Sequence, residues 1–130
     1  MSAENNVVQK RALVVDDDII LLEHASAVLR RAGYHVETAG DGMNALAMFR
    51  ASHFDAVVCD IRMPKLSGIS FLKNLRLTAQ STCRVVFLSA MDDQNIRREA
   101  TDAGAVAYLL KPASSKAIVE AVSGVASAQP

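Results

Sequence analysis

The chain has 130 residues, of which 51% are hydrophobic and 22% are charged, a balance that excludes an intrinsically disordered protein. Basic and acidic residues number 14 each, so the composition lacks the basic excess typical of nucleic-acid-binding domains. No apolar run is long enough to cross a bilayer, and the polar start lacks the apolar segment of a signal peptide. We therefore predict one cytoplasmic domain that contacts neither membrane nor nucleic acid.

The first apolar run, residues 12–15, ends abruptly in three consecutive aspartates, Asp16, Asp17 and Asp18. Such a run predicts a buried parallel strand whose last residues reach the carboxyl edge of the sheet. Carboxylates that crowd together at this edge repel one another and attract a hard cation such as Mg2+. The alternative is that one of the three only caps the following helix.

Four further apolar segments alternate with helical patterns along the rest of the chain. They predict strands at residues 34–38, 54–59, 85–88 and 105–110. Parallel strands that are separated by helices are joined by right-handed crossovers. The pattern therefore predicts an α/β domain with a doubly wound sheet of five parallel strands and helices on both faces.

The helical segments carry recognisable start signals. The first helix is predicted to begin near Asp18 and to end at Ala32, before Gly33. Asp92 or Asp93 is predicted to cap the fourth helix. The last helix follows Ser114 or Ser115, and its predicted apolar face consists of Ile118, Val119, Val122 and Val125.

Polar residues also follow three of the later strands. Asp60 follows the third strand, Ser89 the fourth and Lys111 the fifth. In a doubly wound sheet, ligands bind beyond the carboxyl ends of the strands. Helix capping explains neither a lysine after an apolar strand nor an isolated acid directly before Ile61. These residues therefore predict a functional site at this edge.

The chain resembles the receiver domain of two-component response regulators. The resemblance divides it into an N-terminal extension (1–10), a receiver domain (11–126) and a tail or linker start (127–130). It implies a (βα)5 flavodoxin-like fold with strand order 2-1-3-4-5. The matching segments are Leu13-Val14-Val15-Asp16-Asp17, Asp60-Ile61-Arg62-Met63-Pro64 with Gly68, Leu88-Ser89-Ala90 and Tyr108-Leu109-Leu110-Lys111-Pro112.

The resemblance assigns a metal-dependent phosphoryl-transfer site. It implies that Asp60 is the phosphoacceptor and that Mg2+, for which Mn2+ can substitute, is bound by Asp16, Asp17 and Asp60. The backbone carbonyl of Arg62 would be a further ligand, and Asp16 would act mainly through a metal-bound water. Lys111 would pair with Asp60 at rest and with a phosphoryl oxygen after transfer.

The resemblance also implies a conformational switch. Ser89 would bind the phosphoryl oxygens once Asp60 is modified, and Tyr108 would then move from an exposed to a buried position. The alternative for Tyr108 is an ordinary aromatic residue at the sheet edge. The peptide bond between Lys111 and Pro112 is expected to be cis.

The expected partners follow from the same resemblance. The phosphoryl donor would be a histidine kinase or a histidine phosphotransfer protein. A downstream protein or a fused effector domain would bind the face formed by the fourth helix, the fifth strand and the fifth helix, and homodimerisation through this face on phosphorylation is left open. The domain would assist its own phosphorylation and dephosphorylation without being an enzyme in the usual sense.

Two residues beside the site depart from the best-studied chemotaxis regulators of the family. Arg62 is long and cationic, and Met91 is bulky and apolar. We hypothesise that the two residues, with Asp18 paired to Arg62, shield the phosphoryl group from water and act as modulators of its lifetime. The alternative is an exposed ion pair that contributes under about 1 kcal/mol.

Two other classes of protein remain to be distinguished. In a haloacid-dehalogenase-like phosphatase, Asp16 would be the nucleophile and Asp18 the acid–base, with Ser89 and Lys111 in supporting motifs. Ile20 stands where that family has threonine or valine, and no cap domain is apparent. The third interpretation is an interaction module that keeps the receiver fold but acts without phosphorylation.

Two further pairs of residues, one of cysteines and one of arginines, are expected to have structural rather than functional roles. Cys59 and Cys83 lie in or beside predicted buried strands and are expected to be inert core thiols rather than a disulfide. Arg97 and Arg98 on the fourth helix are expected to form a solvated face, with a partner contact as the alternative.

Overall fold

The computed structural model describes residues 9–77 and 82–125. Within them, five parallel strands form one sheet in the order β2-β1-β3-β4-β5, which confirms the predicted doubly wound fold. The predicted extension and tail lie, apart from residues 9 and 10, outside the described residues. The strands are β1 Arg11–Val15, β2 His35–Ala39, β3 Ala56–Cys59, β4 Arg84–Ser89 and β5 Ala107–Leu110. The helices are α1 Ile19–Arg31, α2 Gly42–Ala51, α3 Gly68–Leu75, α4 Gln94–Asp102 and α5 Ser115–Ser123.

Each helix begins after a side chain that accepts a backbone N–H of its first turn, which satisfies a donor without an intrahelical partner. The five capping residues are Asp18, Asp41, Ser67, Asp93 and Ser114. The structure thereby selects Asp93 over Asp92 and Ser114 over Ser115. Along the described parts of the chain, none of the helices is both long and apolar enough to span a membrane.

The sheet is buried on both faces by two separate apolar clusters. In β1, Leu13 and Val15 point to the cluster that α2, α3 and α4 cover, whereas Ala12 and Val14 point to the cluster that α1 and α5 cover. The central strands are therefore apolar between their ends, as the sequence pattern predicts. Arginines stand at the start of β1 and β4, and the other polar residues of these strands lie at the carboxyl edge.

The predicted apolar face of the last helix is one residue too long. Gly124 adopts a left-handed conformation with φ of 76°, which ends α5 at Ser123 and leaves Val125 69% exposed. The Arg84 guanidinium donates hydrogen bonds to the carbonyls of Ala121 and Val122, both at 3.1 Å, so it stabilises this helix end.

Cys59 and Cys83 are buried free thiols, as predicted. Burial raises the pKa of Cys59 well above its ordinary value, and burial raises the pKa of Cys83 to about 12. Both thiols are therefore protonated at neutral pH and chemically inert.

Candidate functional site

The register of the central strands brings the acidic residues together. Val15 of β1 is paired with Cys59 of β3, so the residues that follow them, Asp16 and Asp60, are neighbours at the carboxyl edge. The Asp60 N–H donates to the Val15 carbonyl at 3.0 Å, which extends the pairing by one residue. One carboxylate oxygen from each of Asp16, Asp17 and Asp60 lies within 4.8 Å of the others. The structure thus confirms that these three side chains form one cluster.

Lys111 reaches the cluster from β5, on the far side of β4. Its backbone N–H donates to the Ser89 carbonyl at 2.9 Å, and the following peptide bond, to Pro112, is cis as expected. The Lys111 ammonium lies 2.8 Å from Asp16 Oδ2 and 3.3 Å from Asp60 Oδ2. The expected pairing with Asp60 is present, but the shorter contact is with Asp16, the more deeply buried of the two carboxylates.

Burial and charge oppose each other at this site. Burial raises the pKa of Asp60, and the charge of Asp16 adds to the rise while the Lys111 ammonium opposes it. Burial alone would lower the pKa of Lys111, but its hydrogen bond to Asp16 and the charges of both carboxylates raise it. Lys111 therefore stays cationic and neutralises part of the negative charge.

The cluster has the composition of a site for a hard dication. Hard cations take oxygen ligands, and Mg2+ accepts one or two carboxylates while it keeps several waters. Asp16 is buried, Asp60 is half-buried and Asp17 is exposed, so the cluster opens to solvent on one side. The residues therefore fit Mg2+, with Lys111 as a competing cation.

The hypothesised contact between Asp18 and Arg62 is not formed. Asp18 Oδ1 instead accepts the backbone N–H groups of Ile20 and Leu21, so Asp18 is the cap of α1. Because that carboxylate oxygen already serves as a helix cap, turning it toward Arg62 would leave the first turn unsatisfied. Arg62 is exposed.

Arg62 and Met91 nevertheless face the same space. An open groove beside the acidic cluster is lined by Asp17, Arg62, Met91 and Ile96, together with residues of the β3–α3 loop. Arg62 and Met91 therefore line one groove with Asp17, the exposed member of the acidic cluster. Their predicted influence on phosphoryl lifetime stays a prediction.

Ser89 and Tyr108 are connected through the backbone of Met91. Ser89 is buried, and its Oγ accepts the Met91 N–H at 3.1 Å. The Tyr108 hydroxyl donates to the Met91 carbonyl at 2.7 Å, and the Tyr108 ring packs on Phe87 with centroids 6.4 Å apart. Tyr108 is partly buried in this arrangement, which leaves its predicted movement as a prediction.

One contact of Tyr108 was missed by sequence reasoning. Arg97, expected on a solvated face, places its guanidinium 4.7 Å from the centroid of the Tyr108 ring. No spacing in the sequence indicates this contact, because the angle at which α4 packs on β5 decides which side chain of the helix reaches the ring. Arg98, the next residue, is exposed as expected.

The start of α3 packs against the acceptor loop so closely that only glycine fits. The Gly68 N–H donates to the Ile61 carbonyl at 2.8 Å. A Cβ atom on Gly68 would overlap the carbonyl oxygen of Asp60 and approach the Phe87 ring to 2.9 Å. Gly68 therefore holds α3 against the backbone of Asp60.

We expect Gly68→Ala to lower the free energy of unfolding by about 1–3 kcal/mol, the usual effect of overpacking, and to slow phosphorylation because the Asp60 backbone must shift. Urea denaturation and phosphorylation by a small phosphodonor measure the two effects. Gly40→Ala is the matched control, since a Cβ atom there meets nothing within 4 Å. Equal stability of the two variants would contradict the packing argument.

Residues 12–123 match the response regulator receiver domain family. The chain belongs to this family. This chain is 41% identical to the transcriptional regulatory protein ZraR of Klebsiella oxytoca over 100 residues, which make up 77% of this chain and 22% of ZraR. It spans less than half of the length of the curated relatives that it matches.

Solved structures show the same receiver fold. Chemotaxis protein CheY4 of Vibrio cholerae is 31% identical with a TM-score of 0.85, and the match covers 91% of this chain and 99% of CheY4. A response regulator from Burkholderia pseudomallei, solved with a phosphorylated aspartic acid, a calcium ion and citrate, is 29% identical with a TM-score of 0.81. That match covers 87% of this chain and 66% of the Burkholderia chain.

Proposed function

We propose that this receiver domain accepts a phosphoryl group on Asp60 in a Mg2+-dependent reaction and thereby switches a protein-interaction surface. The observation that carries the proposal is the surroundings of the Asp60 carboxylate. It lies at the carboxyl edge of the sheet, within 4.8 Å of carboxylate oxygens of Asp16 and Asp17 and 3.3 Å from the Lys111 ammonium. The half-buried position leaves it accessible to a donor.

The residues of the site support transfer to a carboxylate. A carboxylate oxygen of Asp60 forms the new P–O bond while the P–N bond of a donor phosphohistidine breaks, and the imidazole leaves with the electron pair and gains a proton. Mg2+, if bound by the acidic cluster, would neutralise part of the negative charge of the reacting groups. Asp16 and Asp17 would hold it against Asp60. The Lys111 ammonium would stabilise the charge of the transferred group from the opposite side.

The burial of Asp16 and the role of Asp18 argue against the phosphatase alternative. Asp16 Oδ2 accepts from the Lys111 ammonium, and Asp16 Oδ1 accepts the Asp18 N–H at 2.9 Å. Asp60 Oδ1 and Oδ2 are also engaged, by the Ile61 N–H and the Lys111 ammonium, so burial is what separates the two carboxylates: 7% of the Asp16 side chain is exposed, against 12% for Asp60. Asp18, the acid–base of that alternative, serves as a helix cap. The deeper burial of Asp16 and the helix-cap role of Asp18 favour Asp60 as the nucleophile.

Signal output would pass through the hydrogen bonds that join Ser89 to Tyr108. A phosphoryl group on Asp60 adds acceptor oxygens for the Ser89 hydroxyl. Ser89 held on the phosphoryl group would in turn hold Met91, whose carbonyl receives the Tyr108 hydroxyl, and would so favour the position of Tyr108 against the sheet. The surface of α4, β5 and α5 would change in consequence.

The proposed partners are those of a phosphorelay. A histidine kinase or a histidine phosphotransfer protein would donate the phosphoryl group in the cytoplasm, and a downstream protein or a fused effector domain would read the α4–β5–α5 surface. The name of ZraR, a transcriptional regulatory protein, favours an effector that controls transcription. Phosphorylation would promote homodimerisation through the same surface.

Beryllofluoride, a stable mimic of a phosphoryl group, tests this function without chemistry. We expect the wild-type protein to bind it only when Mg2+ is present, with amide shifts in the NMR spectrum at Asp60, Ser89 and Tyr108. A Mg2+-free sample provides the control. Absence of binding at saturating Mg2+ would instead support an interaction module that acts without phosphorylation.

We expect Arg62→Ala and Met91→Ala to accelerate loss of the phosphoryl group by up to about ten-fold, equivalent to about 1.4 kcal/mol in the barrier. Both side chains line the open groove beside Asp17, and their removal would widen the approach of water to the acidic cluster. Decay of the phosphorylated protein after removal of donor measures the rate. Lys65→Ala, on the same loop but outside that groove, is the control. An unchanged lifetime in both groove variants would exclude a shielding role.

A further inference from the structure

The ring of Tyr108 makes two contacts. It packs on Phe87 of β4. The Arg97 guanidinium of α4 also lies over the ring, 4.7 Å from its centroid. A guanidinium at this distance is attracted by the negative face of an aromatic ring. Arg97 therefore favours the position in which Tyr108 lies against the sheet.

Arg97 is in turn tied to the β4–α4 loop. Its Nε donates to Asp92 Oδ1 at 3.3 Å. The residue before Asp92 is Met91, whose carbonyl accepts the Tyr108 hydroxyl. Tyr108 is thus connected to residues 91–92 in two ways. Its hydroxyl bonds to Met91 directly, and its ring contacts Arg97, which bonds to Asp92.

The same segment is also hydrogen-bonded to Ser89, which lies at the edge of the phosphoacceptor site. The Met91 N–H donates to Ser89 Oγ, and Ser89 is buried at the end of β4. A contact that holds Tyr108 on residues 91–92 therefore stabilises one arrangement of the loop that begins at Ser89.

We propose that Arg97 is a positioning residue that holds Tyr108 against the β4–α4 loop before phosphorylation. By favouring this position of Tyr108, Arg97 raises the affinity of the Asp60 site for a phosphoryl group or its mimic beryllofluoride. The proposal rests on the proposed function, because it requires that modification of Asp60 favours the same position of Tyr108, with its hydroxyl on the Met91 carbonyl. A contact that stabilises the conformation which a ligand selects increases the apparent affinity for that ligand. Arg97 thereby sets the basal population of the activated surface.

Arg98 provides a matched control for charge and helix position. It is the next residue of α4, carries the same guanidinium and is exposed. Its side chain lines a different groove, together with Lys73 and Glu99, on the α3 side of the helix. A loss of positive charge from α4 in general would affect both positions, whereas a loss of the ring contact affects only Arg97.

The first experiment measures how well the Tyr108 ring is protected from solvent. The chain has two tyrosines and no tryptophan, so Tyr34→Phe leaves Tyr108 as the only strong intrinsic fluorophore. In this background, without Mg2+ or beryllofluoride, we expect Arg97→Met to increase acrylamide quenching of Tyr108 fluorescence. Arg98→Met is expected to leave quenching unchanged, and Arg97→Lys, which keeps a cation, to recover part of the protection. Equal quenching in the Arg97→Met and parent proteins would overturn the proposal.

The second experiment measures the coupling to the site. Calorimetric titration with beryllofluoride and Mg2+ is expected to show affinity about two- to five-fold weaker in Arg97→Met, the range that one partly exposed cation–π contact supports. The effect should vanish in a Tyr108→Ala background. The same loss in that background would overturn the proposal, since Arg97 would then act without the ring. Failure of the proposed function has a different signature: the parent protein with Arg97 intact would not bind beryllofluoride, while the quenching comparison would still decide the role of Arg97.

Discussion

Replacing Asp60 by asparagine is expected to reduce phosphorylation by small phosphodonors or by a cognate kinase to below detection. The amide is not a nucleophile toward phosphorus, and no other carboxylate of the cluster combines accessibility with proximity to the Lys111 ammonium. Asparagine keeps the size of the side chain and an oxygen that can accept the Ile61 N–H, which Asp60 accepts at 2.7 Å. The variant should therefore fold, and phosphate-affinity electrophoresis or intact mass spectrometry measures the loss.

Asp18→Asn is the matched control for this substitution. Asp18 belongs to the same acidic run, but it serves as the cap of α1, and asparagine caps helices about as well as aspartate. We expect this variant to be phosphorylated at the wild-type rate. Full phosphorylation of Asp60→Asn, with loss in Asp16→Asn instead, would favour the haloacid-dehalogenase-like alternative.

Lys111→Met is expected to have opposite effects on phosphorylation and on metal binding. Methionine retains most of the length of the side chain but removes the cation that would stabilise the transferred phosphoryl group, so phosphorylation should slow by about 10²- to 10³-fold. Mg2+ should bind about ten-fold more tightly or better, because the competing charge beside Asp16 and Asp60 is gone.

The same variant should be less stable without metal. Loss of charged hydrogen bonds to Asp16 and Asp60 is expected to lower the free energy of unfolding by about 1–3 kcal/mol, and added Mg2+ should restore it. Calorimetric Mg2+ titration and urea denaturation measure the two quantities. Lys116→Met, an exposed lysine on α5, is the control. Weaker Mg2+ binding in Lys111→Met would contradict the electrostatic account of the site.

Most of the fold could be predicted from the sequence because its signals are local. An apolar strand that is buried on both faces, a cap such as Asp93 and a terminating glycine such as Gly124 act within a few residues. The prediction was wrong at the end of α5, where the conformation of one residue decides where the helix stops. Val125 continues the apolar pattern of α5, but the left-handed conformation of Gly124 removes it from the helix.

The members of the acidic cluster could also be predicted, since parallel pairing brings the residues after β1 and β3 side by side. Their contacts could not. The shorter distance from Lys111 to Asp16 than to Asp60 depends on side-chain burial, which the sequence does not contain. The contact of Arg97 with Tyr108 depends on the packing of α4 against β5 in the same way.

The central claim, that Asp60 is the phosphoacceptor, is tested most directly by locating the modified residue in the wild-type protein. Borohydride reduces an aspartyl phosphate to homoserine, so treatment of the protein after phosphorylation with Mg2+ and a small phosphodonor, followed by peptide mass spectrometry, marks the position. We predict homoserine at position 60 and its absence when Mg2+ is chelated. Homoserine at position 16, with residue 60 unmodified, would contradict the proposed site.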